Sequence, residues 1–521
     1  MNSTLLWRYG PVLALLIGLR LIFWMGAFPN PDEAYYWLWG QHWDWSYFDH
    51  PPLHAWIQGI FAAGLVRSQF ILRLPTLITT GLLVWLYGNI CHQLYGKQAT
   101  NAWGLTVLLM FTSPLFFLFT AMAWHDHWLV LSGTAASYCL IQFLSRDRLD
   151  AYPWLYGAGG LIGLAGLCKY VALFLGIGFL VAIATQRRWR SLFWQGHLYG
   201  AIGLALLMLA PVFWWNWQHD FYSFRFYLGR SVQAETPPIH WLGPIGFLLL
   251  SGLILGPMHV WLTAKATQRG FTTRFGATYQ RVAFVIFGTS TLMLALLSCQ
   301  APVRYYWNIL AYPLLLPLMV GGFLNPDRLY ELRDRRLLNG TLTLGTVAAA
   351  LLVIHYTVLP LSALASPTGD DDTRMLYGWQ SVAEWVKREA AVFTEQPLLL
   401  TTDYRSASAL AYVWGEPSVI ALSGRIDQFD FWYDPAALAG RDAILVGDRW
   451  HPICPTHLAM FERTDAPTTL EVQRLGIDIK TYTLVRGYGF RAQGVTADPF
   501  SPNYPLAFTA DGETCTATAP P

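Results

Sequence analysis

The stretch Pro11–Trp37, PVLALLIGLRLIFWMGAFPNPDEAYYW, decides the fold. Residues 11–28 are apolar except for Arg20, and they approach the roughly 20 residues that an α-helix needs to cross a bilayer. The continuation, Pro29-Asn30-Pro31-Asp32-Glu33, has no small-residue cleavage site, so the segment reads as a retained first membrane helix and not as a removed leader. Arg20 is expected to snorkel or to face protein inside the bundle, because a charge facing lipid is costly. Just past the helix stands the acidic pair Asp32-Glu33, followed at once by Tyr35, Tyr36 and Trp37.

The rest of the chain agrees with a membrane reading. Hydrophobic residues make up 54% of its 521 positions and charged residues 13%, against roughly 25% charged in soluble proteins. A net charge of +2 gives no ground for a nucleic-acid partner. The many tryptophans and tyrosines suit two membrane–water interfaces. Six cysteines lack metal-ligand spacing. Further apolar runs predict spans near 72–92, 101–120, 128–144, 153–168, 170–185, 194–215, 241–263, 282–299, 306–324 and 338–359, which makes about 11 in all. The run 153–185 is divided because Gly166-Leu167-Cys168-Lys169 interrupts it.

Charge placement supports this count. With the N-terminus inside, the inner loops hold Arg8, Lys97, Arg146, Arg148, Arg187, Arg188, Arg190, Lys265, Arg269, Arg274, Arg281, Arg328, Arg333, Arg335 and Arg336. The short outer loops hold Arg67, Arg73, Lys169, Arg225, Arg230 and Arg304. That is the positive-inside pattern, and merging the two helices around Lys169 would put Arg187, Arg188 and Arg190 outside. Beyond Pro360 the composition turns polar. Residues 361–521 read as a soluble α/β domain, with helices at Trp379–Ala391 and Ser406–Trp414 and buried-strand candidates at 397–403, 418–422 and 442–448. The expected domains are therefore 1–360 in the membrane and 361–521 outside it. Cys454 and Cys515 could pair if that compartment is oxidising.

The reactive residues gather on the predicted outer face. A carboxylate among aromatic rings at a membrane surface is partly desolvated, which raises its basicity, so Asp32 and Glu33 are candidates for a general base or a cation ligand. Asp49 and His50 open Asp49-His50-Pro51-Pro52-Leu53. Asp126 lies in Trp124-His125-Asp126-His127-Trp128. That His-Asp-His run is a poor metal site on a helix, where neighbouring side chains diverge, and an orienting or acceptor-binding carboxylate suits Asp126 better. Lys169, deep for a charge, suits a phosphate arriving from the lipid phase. Arg304, beside Tyr305 and Tyr306, is a second phosphate candidate, or else an interface anchor. Arg225 sits in a basic and aromatic loop, where rings can stack on sugars or simply line the interface. No Walker loop or dinucleotide fingerprint is present.

The Asp32-Glu33 pair, the Asp49-His50-Pro51-Pro52-Leu53 segment, Asp126, Gly166-Leu167-Cys168-Lys169-Tyr170 and the run from Tyr305 to Leu318 resemble the glycosyltransferase family 39 and aminoarabinose-transferase group of the GT-C class, which includes the protein O-mannosyltransferases. His50 departs from the lysine that the lipid A enzymes of that group carry before the double proline. The resemblance implies a GT-C fold of membrane helices and an inverting transfer on the periplasmic side of a bacterial inner membrane. The donor would be a polyprenyl-phosphate sugar, undecaprenyl-linked, and the acceptor an envelope lipid, glycan or protein. Asp32 would act as the base or orienting group, and Lys169 and Arg304 would hold the donor phosphate. No cofactor is required; Glu33 and Asp126 could hold a divalent cation.

Three other readings compete with this one. A lipid-linked glycan flippase suits intramembrane charges, but the chain shows no paired halves. A glycan polymerase or ligase using diphosphate-linked oligosaccharides usually has a large late outer loop, and the one at 216–240 is short. An assembly protein with a membrane anchor would need far fewer spans.

Overall fold

The computed structural model describes residues 4–231, 240–268, 270–324, 332–366, 372–423 and 426–491. The chain forms two compact units. One comprises Met1–Trp24, Asp44–His54 and Arg73–Leu352; the other comprises Met25–Trp43, Ala55–Leu72 and Val353–Pro521. The second unit thus takes two segments from the region that the composition assigned to the membrane domain.

The first unit is helical. Among the described residues, four helices are long and apolar enough to cross a membrane: Arg8–Gly26, Gln69–Thr112, Arg274–Leu297 and Arg335–Thr357. Two further pairs qualify as bent spans. Gly196–Met208 with Ala210–Gln218 bends by 48°, and Gly243–Leu255 with Pro257–Ala266 by 97°. The apolar-run count treated each pair as one straight helix and missed the cause. Pro211 and Pro257 stand in the first turn of the second helix of each pair, where proline cannot continue the preceding hydrogen-bond ladder. Gly256 adopts φ 112° at the sharper bend, a conformation that side chains resist.

The expected span 101–120 breaks at Ser113-Pro114, into Ala99–Thr112 and Pro114–Phe119. The expected span 306–324 is not a regular helix. It is a 3₁₀ turn Trp307–Ala311, one helical turn Leu316–Met319 and another 3₁₀ turn Val320–Gly322. Pro313 and Pro317 remove two backbone donors from it. The interruption at Lys169 falls as expected, between Tyr152–Gly166 and Ala172–Ala184.

Close helix packing in this unit depends on small residues. A Cβ on Gly159 would lie 2.3 Å from the Ala201 carbonyl oxygen, and one on Gly163, four residues on, 2.8 Å from Met208 Cβ. These glycines let helices Tyr152–Gly166 and Gly196–Met208 approach backbone to backbone, where dispersion replaces the hydrophobic effect that lipid cannot supply.

The second unit is built on a six-stranded sheet. Its strands are β1 (Leu398–Thr401), β2 (Val419–Ala421), β3 (Ala443–Asp448), β4 (Phe461–Thr464), β5 (Thr468–Arg474) and β6 (Ile477–Phe490). The order is β2-β1-β3-β6-β4, with β5 also paired to β6. β2, β1 and β3 run parallel, and β6 runs antiparallel to its neighbours. Leu398, Leu400, Ile420, Leu445, Phe461 and Phe490 form one core under it.

The parallel strands match the predicted apolar runs, as expected for strands buried on both faces. The β5–β6 hairpin, with β4 also paired to β6, was not anticipated. Its turn at Leu475-Gly476 has φ 53° and 77°, the positive pair that a two-residue hairpin turn requires. Helix Pro31–Gln41 also belongs to this unit and packs on helix Tyr404–Trp414. Gly40 and Gly59 meet at a second contact, where a Cβ on Gly40 would come 2.5 Å from the Gly59 nitrogen. Cys454 is disulfide-bonded; Cys515, its expected partner, lies outside the described residues.

Candidate active site

The acidic pair opens a helix instead of lying in an irregular loop. Asn30 caps helix Pro31–Gln41, its side chain accepting from Asp32 N–H at 3.0 Å, and Pro31 occupies the first turn. Glu33 closes a capping box: its carboxylate accepts from Asn30 N–H at 2.8 Å, and the residue is fully buried. A carboxylate at N3 is favoured both by this bond and by the helix dipole. The two acids therefore have different surroundings. Glu33 holds the helix start, whereas Asp32 is partly exposed and accepts from the Tyr404 hydroxyl at 3.3 Å. One turn on, Tyr35 accepts from Gln428 N–H at 2.6 Å and its ring stacks on Phe429 at 5.9 Å. The start of this helix is thus fixed by groups from the C-terminal sheet domain of the same unit. No local window contains that, since the partners lie some 370 to 390 positions apart.

In the other unit, Lys169 and Asp126 form an ion pair, Nζ to Oδ2 2.6 Å, with side chains 12% and 1% exposed. Asp126 begins helix Asp126–Leu144, and Lys169 sits in the break between two short apolar helices, where its ammonium can reach a polar group without piercing a helix. Lys169 Nζ lies 5.4 Å from the centre of the Tyr306 ring, within cation–π range. That ring stacks on Phe119 at 4.6 Å. Tyr305 has its carbonyl tied to Ser251 at 2.9 Å, and the two tyrosine rings meet edge to face.

Asp49 and His50 are joined through Tyr227, whose hydroxyl donates to the Asp49 carbonyl and lies 2.9 Å from His50 Nδ1. The His50 ring is 4.6 Å from that of His125. His125 in turn is 5.1 Å from His54, and His54 is 5.3 Å from His127. His54 and Tyr227 were not among the sequence candidates. His54 falls one residue past the double-proline segment, and the aromatic loop at 220–227 was the available hint for Tyr227. Arg225 and Arg304 are exposed, on helix Tyr222–Ser231 and ahead of the turn at 307 respectively.

The two carboxylates suggested for a cation are both engaged, Glu33 by Asn30 and Asp126 by Lys169. Among the described residues no group of three or more His, Cys, Asp or Glu could hold a metal ion.

Comparison with known proteins finds similar sequences and one shared fold. The dolichyl-phosphate-mannose-protein mannosyltransferase family matches residues 49–215. A lipid A galacturonosyltransferase of Rhizobium johnstonii is 25% identical over 420 residues, which cover 77% of this chain and 82% of that protein. An undecaprenyl phosphate-α-4-amino-4-deoxy-L-arabinose arabinosyl transferase of Edwardsiella ictaluri is 26% identical over 59% of this chain and 56% of its own length. Among solved structures, ArnT from Cupriavidus metallidurans bound to undecaprenyl phosphate superposes with a TM-score of 0.59 at 16% identity, covering 92% of this chain and 98% of that one. Its apo form gives 0.57. The chain has the GT-C fold of these structures and is similar in sequence to glycosyltransferases named for lipid A and for undecaprenyl-phosphate aminoarabinose.

Proposed function

We propose that the chain moves a sugar from a polyprenyl-phosphate donor, undecaprenyl-linked, to an envelope glycolipid on the periplasmic face of a bacterial inner membrane. Lipid A is the first acceptor to test. Its relatives support this reading: one is named for galacturonic acid transfer to lipid A, another for undecaprenyl phosphate aminoarabinose. The observation that carries it is the Lys169 ammonium, held by a buried carboxylate at a helix break among aromatic rings.

In the reaction, Asp32 takes the proton of the acceptor hydroxyl as that oxygen attacks the anomeric carbon. The new C–O bond forms on the face opposite the leaving group, with inversion. The bond from the anomeric carbon to the phosphate oxygen breaks, and the lipid phosphate leaves with both electrons. Lys169 and Arg304 stabilise the charge that collects on it, a contribution of the kind that fixed donors make to developing anions. His50 stands in for the lysine of the lipid A enzymes, and Asp49, Arg225, Tyr305 and Tyr306 contact donor or acceptor. Glu33 serves by fixing the helix start beneath Asp32. Glu33 and Asp126 are the residues that would hold a divalent cation if the reaction uses one, and transfer measured with and without EDTA tests this.

The test is mass spectrometry of lipids and envelope glycans from cells with and without the gene. Deletion should accumulate a polyprenyl-phosphate sugar and remove that sugar from one envelope component. Unchanged levels of every such lipid and glycan would overturn the proposal.

A further inference from the structure

The parallel part of the C-terminal sheet contains a topological switch. From β1 the chain passes through helix Tyr404–Trp414 to β2 on one flank, then crosses to β3 on the other. In open α/β sheets, ligands bind at the carboxyl ends of the strands beside such a switch.

Here that edge carries a built polar constellation. Asp403 follows β1, two residues past Thr401, and Asp448 ends β3, two past Val446; Thr401 and Val446 are register partners. His451 lies between the two acids, Nε2 3.5 Å from Asp403 Oδ2 and Nδ1 3.9 Å from Asp448 Oδ1. Its backbone N–H donates to Asp448 at 2.7 Å, and its carbonyl accepts from Thr402 at 2.6 Å. Behind it, Lys480 Nζ is 3.1 Å from Asp448 Oδ2, with both side chains fully buried. The floor of the edge is therefore fixed. At its rim, the Arg405 guanidinium is ion-paired with Asp403 Oδ2 at 3.6 Å, lies 5.0 Å from the Trp450 ring centre and 4.8 Å from that of Tyr404, and leaves a quarter of its side chain exposed.

Tyr404, which adjoins Arg405, donates to Asp32. If Asp32 accepts the acceptor's proton, the reacting hydroxyl must come within hydrogen-bond reach of it. What surrounds Asp32 in its own compact unit is then within reach of the rest of the acceptor, and this edge begins one residue from the side chain that touches Asp32.

We propose that Asp403, Arg405, Trp450 and His451 form an acceptor subsite for a saccharide bearing an anionic group, either phosphate or carboxylate. A guanidinium within cation–π range of two rings and ion-paired on one side with Asp403 keeps its charge and presents the remaining donors of its planar fork, a geometry that suits both anions. The half-buried indole of Trp450 offers an apolar face to a pyranose ring. Asp403 and His451 take its hydroxyls. This subsite rests on the reading of Asp32 as the base.

The test uses the full-length enzyme in lipid bilayers with undecaprenyl-phosphate aminoarabinose and polyprenyl-phosphate galacturonic acid as donors. The acceptors are phosphorylated lipid A, dephosphorylated lipid A bearing acidic sugars, and a neutral lipid A lacking both. Arg405→Gln should raise KM about tenfold for whichever charged acceptor the wild type prefers, and change it less than about twofold for the neutral one. Arg405→Lys, which keeps the charge but loses the fork, should fall between. Trp450→Ala should raise KM for all three acceptors alike. Arg463→Gln, an exposed change on β4, should change none. An Arg405→Gln enzyme with unchanged KM for both charged acceptors, or an equal rise for the neutral one, overturns the subsite while leaving the proposed reaction in place. Should Arg405→Gln fail to fold, the same discrimination must appear in Arg405→Lys. A wild type that glycosylates none of the acceptors overturns the parent reading and this one with it.

Discussion

Replacing Lys169 by methionine keeps an unbranched apolar stem and removes the ammonium. Asp126, 1% exposed and 2.6 Å from Nζ, would then be a buried carboxylate without its cation. Breaking such a pair from one side costs about 3–5 kcal/mol, because the remaining charge stays out of water. The reverse change, Asp126→Asn, should cost less, since Lys169 is 12% exposed and its flexible stem can bring the ammonium to water. The double variant, Lys169→Met with Asp126→Asn, leaves two neutral groups and should recover to within about 1–2 kcal/mol of the wild type.

Transfer activity should not follow stability. If the ammonium stabilises the departing phosphate, the single Lys169→Met and the double variant should both lose about 10²–10³ in rate. Thermal unfolding of the protein in nanodiscs, alongside single-turnover transfer, separates the two quantities. A double variant that regains both stability and transfer would refute the reasoning and reduce Lys169 to a counter-ion. A Lys169→Met variant as stable as the wild type would refute the burial argument.

Three other outcomes are expected. Tyr404→Phe removes a donor from Asp32 but keeps the ring; losing a bond of about 1 kcal/mol should lower kcat/KM about fivefold, as transfer kinetics would show. His457 is buried, which pushes its pKa from 6.5 to about 4 despite the Leu422 carbonyl, and Nδ1 accepts from Cys454 N–H at 3.0 Å. The unfolded chain therefore binds a proton between pH 6.5 and 4 that the folded domain refuses, so stability should fall by about 3 kcal/mol as pH drops through that window and then level off, as thermal melts across pH would show. Gly40→Ala would drive a Cβ into the backbone of Gly59 and should cost about 1–3 kcal/mol, read as a lowered melting temperature.

Much of the helical part was legible because apolar runs are local signals. The break at Lys169 was readable from Gly166-Leu167-Cys168-Lys169, which interrupts an apolar run too long for one upright helix. Helix geometry inside those runs was less legible, since a hydropathy count weighs Pro211, Pro257 and Pro313 as ordinary residues although each removes a backbone donor. In the C-terminal domain, the continuous apolar strands β1 to β3 announced themselves. β5 is largely exposed and β6 mixes polar with apolar residues, so neither forms a continuous apolar run; their Leu475-Gly476 turn was the signal that could have found them. At the candidate site, the residue types of Asp32, Asp126 and Lys169 were visible in sequence. The pairing of Asp126 with Lys169, and the grip of Tyr404 and Gln428 on the first helix turns, depend on tertiary contacts that no local window contains.

The most direct test of the central claim is transfer by Asp32→Asn enzyme, with donor binding measured on the same preparation. Loss of about 10²–10⁴ in rate with an unchanged Kd for the polyprenyl-phosphate sugar is the predicted result. Transfer within about threefold of the wild type would contradict it.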